Sequence, residues 1–209
     1  MKSIDQCHLY GILDAGYTSP ADFSRVARLM VESDGVDMLQ LRAKGASTED
    51  VARWAREVHA ITSDAGVPLV INDHPEVAAS VSAEIIHVGQ DDLPLAVVRK
   101  LVPDGTLIGK STHSVAQALA AAEEGADYIG FGPLFATPTK PDYVPIGIND
   151  IQTVHQQLSI PIFCIGGIKK ENLPSVLSAG ARRVVIVSGI LQAEDIPAYV
   201  RDCKRILTT

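Results

Sequence analysis

The chain alternates short apolar runs rich in Val and Ile with longer stretches in which apolar residues recur at helical spacing. Eight such runs predict strands, over residues 8–14, 36–43, 67–73, 83–90, 107–112, 127–133, 161–167 and 183–189. Most are apolar at adjacent as well as alternate positions, the pattern of parallel strands covered on both faces. Between them, Phe23, Val26, Ala27, Met30 and Val31 form one helical stripe, with Ser19 as the expected N-cap and Pro20 at the first helical position. Ser47 opens a second helix with Val51, Trp54, Ala55 and Val58 on one face. Ser114 and Gln117 have capping-box spacing ahead of an alanine-rich third. Gly35, Gly66, Gly125 and Gly180 stand where helices should end.

Three strand entries share a phrase: AEIIHVG from Ala83, ADYIGFG from Ala126, and ARRVVIV from Ala181 followed by Ser188 and Gly189. This weak repetition, with eight strands each followed by a helical segment, predicts an α/β fold: a closed (β/α)8 TIM barrel, a single domain over residues 1–209. The alternative, an open doubly wound sheet, lacks a G-x-G-x-x-G after any early strand.

Composition narrows the function. Eighteen Lys and Arg against 25 Asp and Glu give a formal net charge of −7, without the basic surface that neutralises a nucleic-acid backbone. No apolar run approaches the roughly 20 residues of a membrane span, and the N-terminus lacks a secretory h-region. The expectation is a soluble, cytoplasmic protein with no nucleic-acid or membrane partner; homo-oligomer formation is left open. Cys7, Cys164 and Cys203 are odd in number, far apart and without C-x-x-C spacing, so reduced structural thiols are expected.

In a barrel, reactive groups belong at the C-terminal ends of the strands. Gln40, Arg42 and Lys44 alternate at the end of strand two, so their side chains share a face and suit phosphate or diphosphate oxygens; the plainer alternative is pairing with surface carboxylates. Asp73 and Asp92 close adjacent strands and together suit a hard cation such as Mg²⁺. Each also precedes a Pro by two residues, where an Asp commonly caps a helix. Gly166-Gly167 and Ser188-Gly189, after strands seven and eight, match the backbone phosphate site of such barrels, against a reading as plain turn glycines. Asn72, Ser111 and His113 sit at other strand ends, and Thr137, Thr139 and Lys140 in the loop after strand six. His113 shares a face with Ser111 as a candidate acid or base. His87 reads as a hydrogen-bonded barrel residue, and His74 as a loop residue without a role. Two anion sites with a metal beside one, and no nucleophile with an adjacent base, point to a reaction joining or splitting two phosphorylated molecules.

QLRAK at 40–44, IND at 71–73, HVGQDD at 87–92, GADYIGFGPLFATPTK at 125–140, IGGI at 165–168 and VSGI at 187–190 resemble the thiamine-phosphate synthase family, in order and over nearly the whole chain. The resemblance implies a transferase of thiamine biosynthesis that joins 4-amino-5-hydroxymethyl-2-methylpyrimidine diphosphate to 4-methyl-5-(2-hydroxyethyl)thiazole phosphate, two small phosphorylated substrates, with Mg²⁺ as cofactor. It assigns Gln40, Arg42, Lys44, Asn72, Ser111 and Lys140 to the pyrimidine diphosphate, with Arg42, Lys44, Ser111 and Lys140 as catalytic residues. Asp73 and Asp92 become the metal ligands, and Thr137, Thr139, Gly167, Val187 and Ser188 hold the thiazole phosphate. It implies a dissociative substitution that needs no protein nucleophile. Lys110 and the Arg182-Arg183 pair depart from the family pattern; strand parity points Lys110 away from Ser111. The alternatives are a thiazole tautomerase on the same barrel, which typically lacks the metal aspartates and the strand-two cations, and a non-catalytic sensor of phosphorylated ligands. The loop 136–146, with three prolines, is the expected lid.

Overall fold

The computed structural model describes residues 2–137 and 144–208. Eight parallel strands, β1 (Leu9–Asp14), β2 (Met38–Arg42), β3 (Leu69–Asn72), β4 (Ile85–Val88), β5 (Leu107–Thr112), β6 (Tyr128–Phe131), β7 (Ile162–Cys164) and β8 (Val184–Ile186), pair in chain order and close into a barrel. Closure is the β1–β8 pairing, Tyr10 opposite Val185 and Gly11 opposite Ile186, and it excludes the open sheet. Outside lie α1 (Phe23–Val31), α2 (Thr48–Asp64), α3 (Pro75–Val81), α4 (Leu95–Leu101), α5 (Val115–Glu123), α6 (Ile151–Gln157), α7 (Leu173–Ser178), α8 (Ser188–Leu191) and α9 (Ile196–Leu207). Every strand falls inside the run that predicts it.

Strand parity divides the apolar residues into two cores. One set, including Leu9, Leu13, Leu39, Ile71, Ile86 and Ile129, faces outward and packs under the helices, where the stripe of α1 joins it. The other, including Tyr10, Ile12, Met38, Val70, Ile85, Tyr128, Phe163 and Val185, fills the barrel interior. Three interior rings meet edge to face: Phe163 lies 5.5 Å from both Tyr10 and Tyr128, and these two lie 6.4 Å apart. Gly109 makes room for this arrangement, since a Cβ there would stand 2.1 Å from the Tyr128 ring.

The residue just before each even-numbered strand, which the shared phrase includes at Glu84 and Asp127, has a physical role at the N-terminal end of the barrel. Asp37, Glu84 and Asp127, each just before an even-numbered strand, accept backbone N–H groups at the start of the preceding strand: His8 and Leu9, Leu69, and Ile108, respectively. Before β8 Arg182 stands at the corresponding position, and its carbonyl bonds the His8 ring instead. Asp37 also binds Lys2 at 2.7 Å and Lys204 of α9 at 3.1 Å, tying both ends of the chain to the barrel. Burial alone would raise the Asp37 carboxyl, but the bonds from Lys2, Leu9, His8 and Lys204 bring it below the usual carboxylate value.

Some local expectations change. Ser19 precedes a 3₁₀ turn (Pro20–Asp22) and makes no side-chain cap, so α1 starts only at Phe23. That helix ends at Val31 rather than at Gly35, because the chain turns back through left-handed Ser33 and Asp34 to bring the Val36 N–H onto the Met30 carbonyl. Ser47 caps α2 and Ser114 caps α5, but the Gln117 side chain returns to the His113 N–H, one residue short of a capping box. Gly66, Gly125 and Gly180 end their helices at positive φ. Among the described residues no helix is long and apolar enough to cross a membrane.

Gly109→Ala should lower stability by about 3 kcal/mol by driving a methyl into the Tyr128 ring. Gly130→Ala, whose Cβ would meet His87 at an ordinary 3.5 Å, should lower it by less than about 1 kcal/mol; denaturant midpoints separate the two. Asp37→Asn should lose about 2–3 kcal/mol at neutral pH. Because the folded carboxyl holds its proton less tightly than the unfolded one, that stabilisation is complete above the ordinary carboxylate value, about 4, and is lost as pH falls through the lower folded value. Thermal midpoints of the two proteins should therefore converge on acidification.

Candidate active site

Above the three rings the inward positions turn small or polar, and the barrel opens at the C-terminal ends of its strands into a cavity. Gln40 and Arg42 of β2, Asn72 of β3, Ser111 of β5, Thr137, Gly167, Val187 and Ser188 all line it. The pattern of strand ends thus brings together eight of the expected residues. Thr139 and Lys140, and most of the expected lid, lie outside the described residues.

Arg42 ends β2 beside Asp14, which ends β1; the two strands pair in register at these residues and their side chains form an ion pair at 2.5 Å. With Asp14 buried and Arg42 nearly so, the guanidinium is held in place at the cavity edge by one of its nitrogens. Asp14 was not among the expected residues, although it closes β1 as Arg42 closes β2 and so follows the same rule. Lys44, more than half exposed, lies 3.3 Å from Asp73.

Asp73 and Asp92 meet, and neither caps a helix. The Asp92 carboxylate accepts the Gly89 N–H at 2.6 Å, and α3 and α4 begin after His74 and Pro94 without side-chain caps. Asp73 takes a left-handed backbone, φ 64°, which turns its side chain toward Asp92. Burial and the neighbouring Asp92 carboxyl push Asp73 above the usual carboxylate range, with Lys44 opposing. Two carboxyl groups in contact, one inclined to keep its proton, form a donor set that a hard divalent cation satisfies. Among the described residues no three His, Cys, Asp or Glu gather, so the chain offers such a cation two carboxylates and leaves other positions to ligand oxygens and water.

His87 lines the cavity and is bonded at both ring nitrogens, Nδ1 to Tyr128 Oη at 3.0 Å and Nε2 to Ser111 Oγ at 2.9 Å. The expected barrel histidine is therefore also part of the site wall, together with Tyr10, which accepts a bond from Gln40 Nε2 at 2.6 Å. These phenols escaped the reading by strand ends because they sit mid-barrel. His113 shares the cavity wall, its Nδ1 on the Gly132 carbonyl. Lys110 points outward to Glu124, as its parity requires, and His74 faces Glu76 at the surface.

Comparison with known proteins points to one family. The sequence model of the thiamine monophosphate synthase family matches residues 9–190. A thiamine-phosphate synthase of Chloroflexus aurantiacus is 41% identical over 204 residues, 96% of this chain and 92% of its own. One from Halalkalibacterium halodurans is 47% identical over 163 residues, 78% of this chain and 77% of its own. The solved thiamine phosphate pyrophosphorylase of Pyrococcus furiosus superposes with a TM-score of 0.86 at 28% identity, covering 97% of this chain and 96% of that one.

Asp73→Asn removes the repulsion with Asp92 and suits the left-handed backbone. In chelator at neutral pH the variant should melt about 2–4 °C above the native chain, equivalent to about 1 kcal/mol at this size. Adding Mg²⁺ should raise the melting temperature of the native chain and leave the variant unmoved; a variant that melts lower in chelator would contradict the carboxyl contact.

Proposed function

The chain belongs to the thiamine monophosphate synthase family, and from that premise we propose that it joins 4-amino-5-hydroxymethyl-2-methylpyrimidine diphosphate to 4-methyl-5-(2-hydroxyethyl)thiazole phosphate, giving thiamine phosphate and diphosphate. One catalytic domain, residues 1–209, carries the reaction. What supports this reading is a single cavity lined by Gln40, Arg42, Asn72 and Ser111 together with Thr137, Gly167, Val187 and Ser188, and a carboxyl pair, Asp73 with Asp92, that begins at the residue after Asn72.

In this reading Gln40, Arg42, Lys44, Asn72, Ser111 and Lys140 bind the pyrimidine diphosphate, while Thr137, Thr139, Gly167, Val187 and Ser188 hold the thiazole phosphate. Asp73 and Asp92 would hold Mg²⁺, which when bound neutralises charge building on the leaving diphosphate. Arg42, fixed by Asp14, and Lys44 meet the same developing charge, and Ser111 donates to it. The bond between the pyrimidine methylene and the diphosphate oxygen breaks with its electron pair leaving on oxygen. The thiazole nitrogen then supplies the pair for the new C–N bond, so no side chain has to act as nucleophile. A tautomerase would have no use for Arg42 and two carboxylates at this end of the barrel, and a pure sensor would bind both ligands without product.

The direct test mixes the folded protein with both substrates, with and without Mg²⁺, and reads thiamine phosphate as fluorescent thiochrome after oxidation. Mg²⁺-dependent product is expected. Asp92→Asn should lower kcat by about 100-fold while leaving affinity for the thiazole phosphate within about threefold. Equal losses in both would overturn the metal assignment, and absence of product from folded native chain would overturn the synthase reading.

A further inference from the structure

A line of hydrogen bonds crosses the barrel interior from β2 to β5. Gln40 Nε2 donates to Tyr10 Oη at 2.6 Å, Tyr10 and Tyr128 hydroxyls lie 3.5 Å apart, Tyr128 Oη is 3.0 Å from His87 Nδ1, and His87 Nε2 is 2.9 Å from Ser111 Oγ. Both phenols are wholly buried, which makes them weaker acids than an ordinary tyrosine, so each keeps one proton to place. Tyr10 already accepts from the Gln40 amide, and its own proton is left for the Tyr128 oxygen. Tyr128 in turn has His87 Nδ1 as its nearest acceptor. A neutral imidazole that accepts at Nδ1 carries its proton on Nε2, and donates it to Ser111.

We infer that Tyr128 and His87 are positioning residues that fix the direction of the Ser111 hydroxyl. With its oxygen already accepting from His87, Ser111 must turn its proton into the cavity, where the proposed diphosphate presents only acceptors. A serine on a barrel wall without this arrangement could equally spend its proton on the histidine. The chain of donors therefore readies a neutral hydroxyl for an anion before any ligand arrives, at no charge to the interior. This role in turnover rests on the synthase reading, while the donor order itself is a property of the ligand-free chain.

Two experiments test it. Nitrogen-15 NMR of the ligand-free protein, with His87→Asn to assign the signal, should show His87 as the Nε2–H tautomer. Tyr128→Phe, which keeps the ring and removes the donor, should abolish that single preference. A native Nδ1–H tautomer, or an unchanged Nε2–H tautomer in Tyr128→Phe, would overturn the inference, and the native measurement stands even if the variant fails to fold. In the thiochrome assay Tyr128→Phe should lower kcat about tenfold, and the double variant with Ser111→Ala should be no slower than Ser111→Ala alone. Losses that multiply would mean that Tyr128 acts apart from Ser111, and would also overturn it. If the native chain makes no product while His87 holds the Nε2–H tautomer, the synthase reading fails and the donor order survives.

Discussion

Three rings decide where the solid interior ends and the cavity begins. A closed barrel of eight short strands has few inward positions per strand, and its interior must be filled by side chains or the strands have nothing to pack against. Tyr10, Tyr128 and Phe163 supply that volume in one edge-to-face cluster, which Gly109 admits by having no side chain. With the lower interior filled, the upper positions can be Gln40, Asn72, His87, Ser111 and Gly130, residues too small or too polar to serve as core. The cavity is thus the part of the barrel that the rings do not have to fill.

The same rings bring a polar requirement, because two buried phenols need partners. Their hydroxyls find those partners upward, in Gln40 and His87, so the boundary between core and site is itself a hydrogen-bonded layer. The charged pairs sit at the two ends. Asp37 holds the chain termini below, and Arg42 with Asp14 and Lys44 with Asp73 lie above. Charge is kept where water or a partner can meet it.

How much of this was legible in the sequence follows the range of the interaction. The strands could be read because each is covered on both faces and writes its burial as a continuous apolar run. Strand ends could be read because alternation puts Gln40 and Arg42 on one face of β2 whatever surrounds them. The start of α1 was misplaced because Ser19 and Pro20 fit a helix start and a 3₁₀ turn equally well, and its end because Ser33 and Asp34, not glycines, take the left-handed turn. The Asp14–Arg42 pair, the Asp73–Asp92 contact and the tyrosine layer join residues 19 to 118 positions apart. The Asp73–Asp92 contact follows from their expected place at the ends of adjacent strands, whereas no local pattern announces the other two, which the pairing of β1 with β2 and the packing of the barrel interior make.

The chemistry proposed for this cavity fits the way its polar groups are committed. His87 is bonded at both nitrogens, His113 through Nδ1 to the Gly132 carbonyl, and Arg42 is already paired. A mechanism that needed a nucleophile and a mobile proton would find those groups occupied. A substitution in which the leaving group departs with its own electron pair and the incoming nitrogen brings another needs no proton to move at the reacting carbon. It needs fixed donors and positive charge aimed at one place, and residues that are fully bonded on one side and open to the cavity on the other are the form that such preorganisation takes.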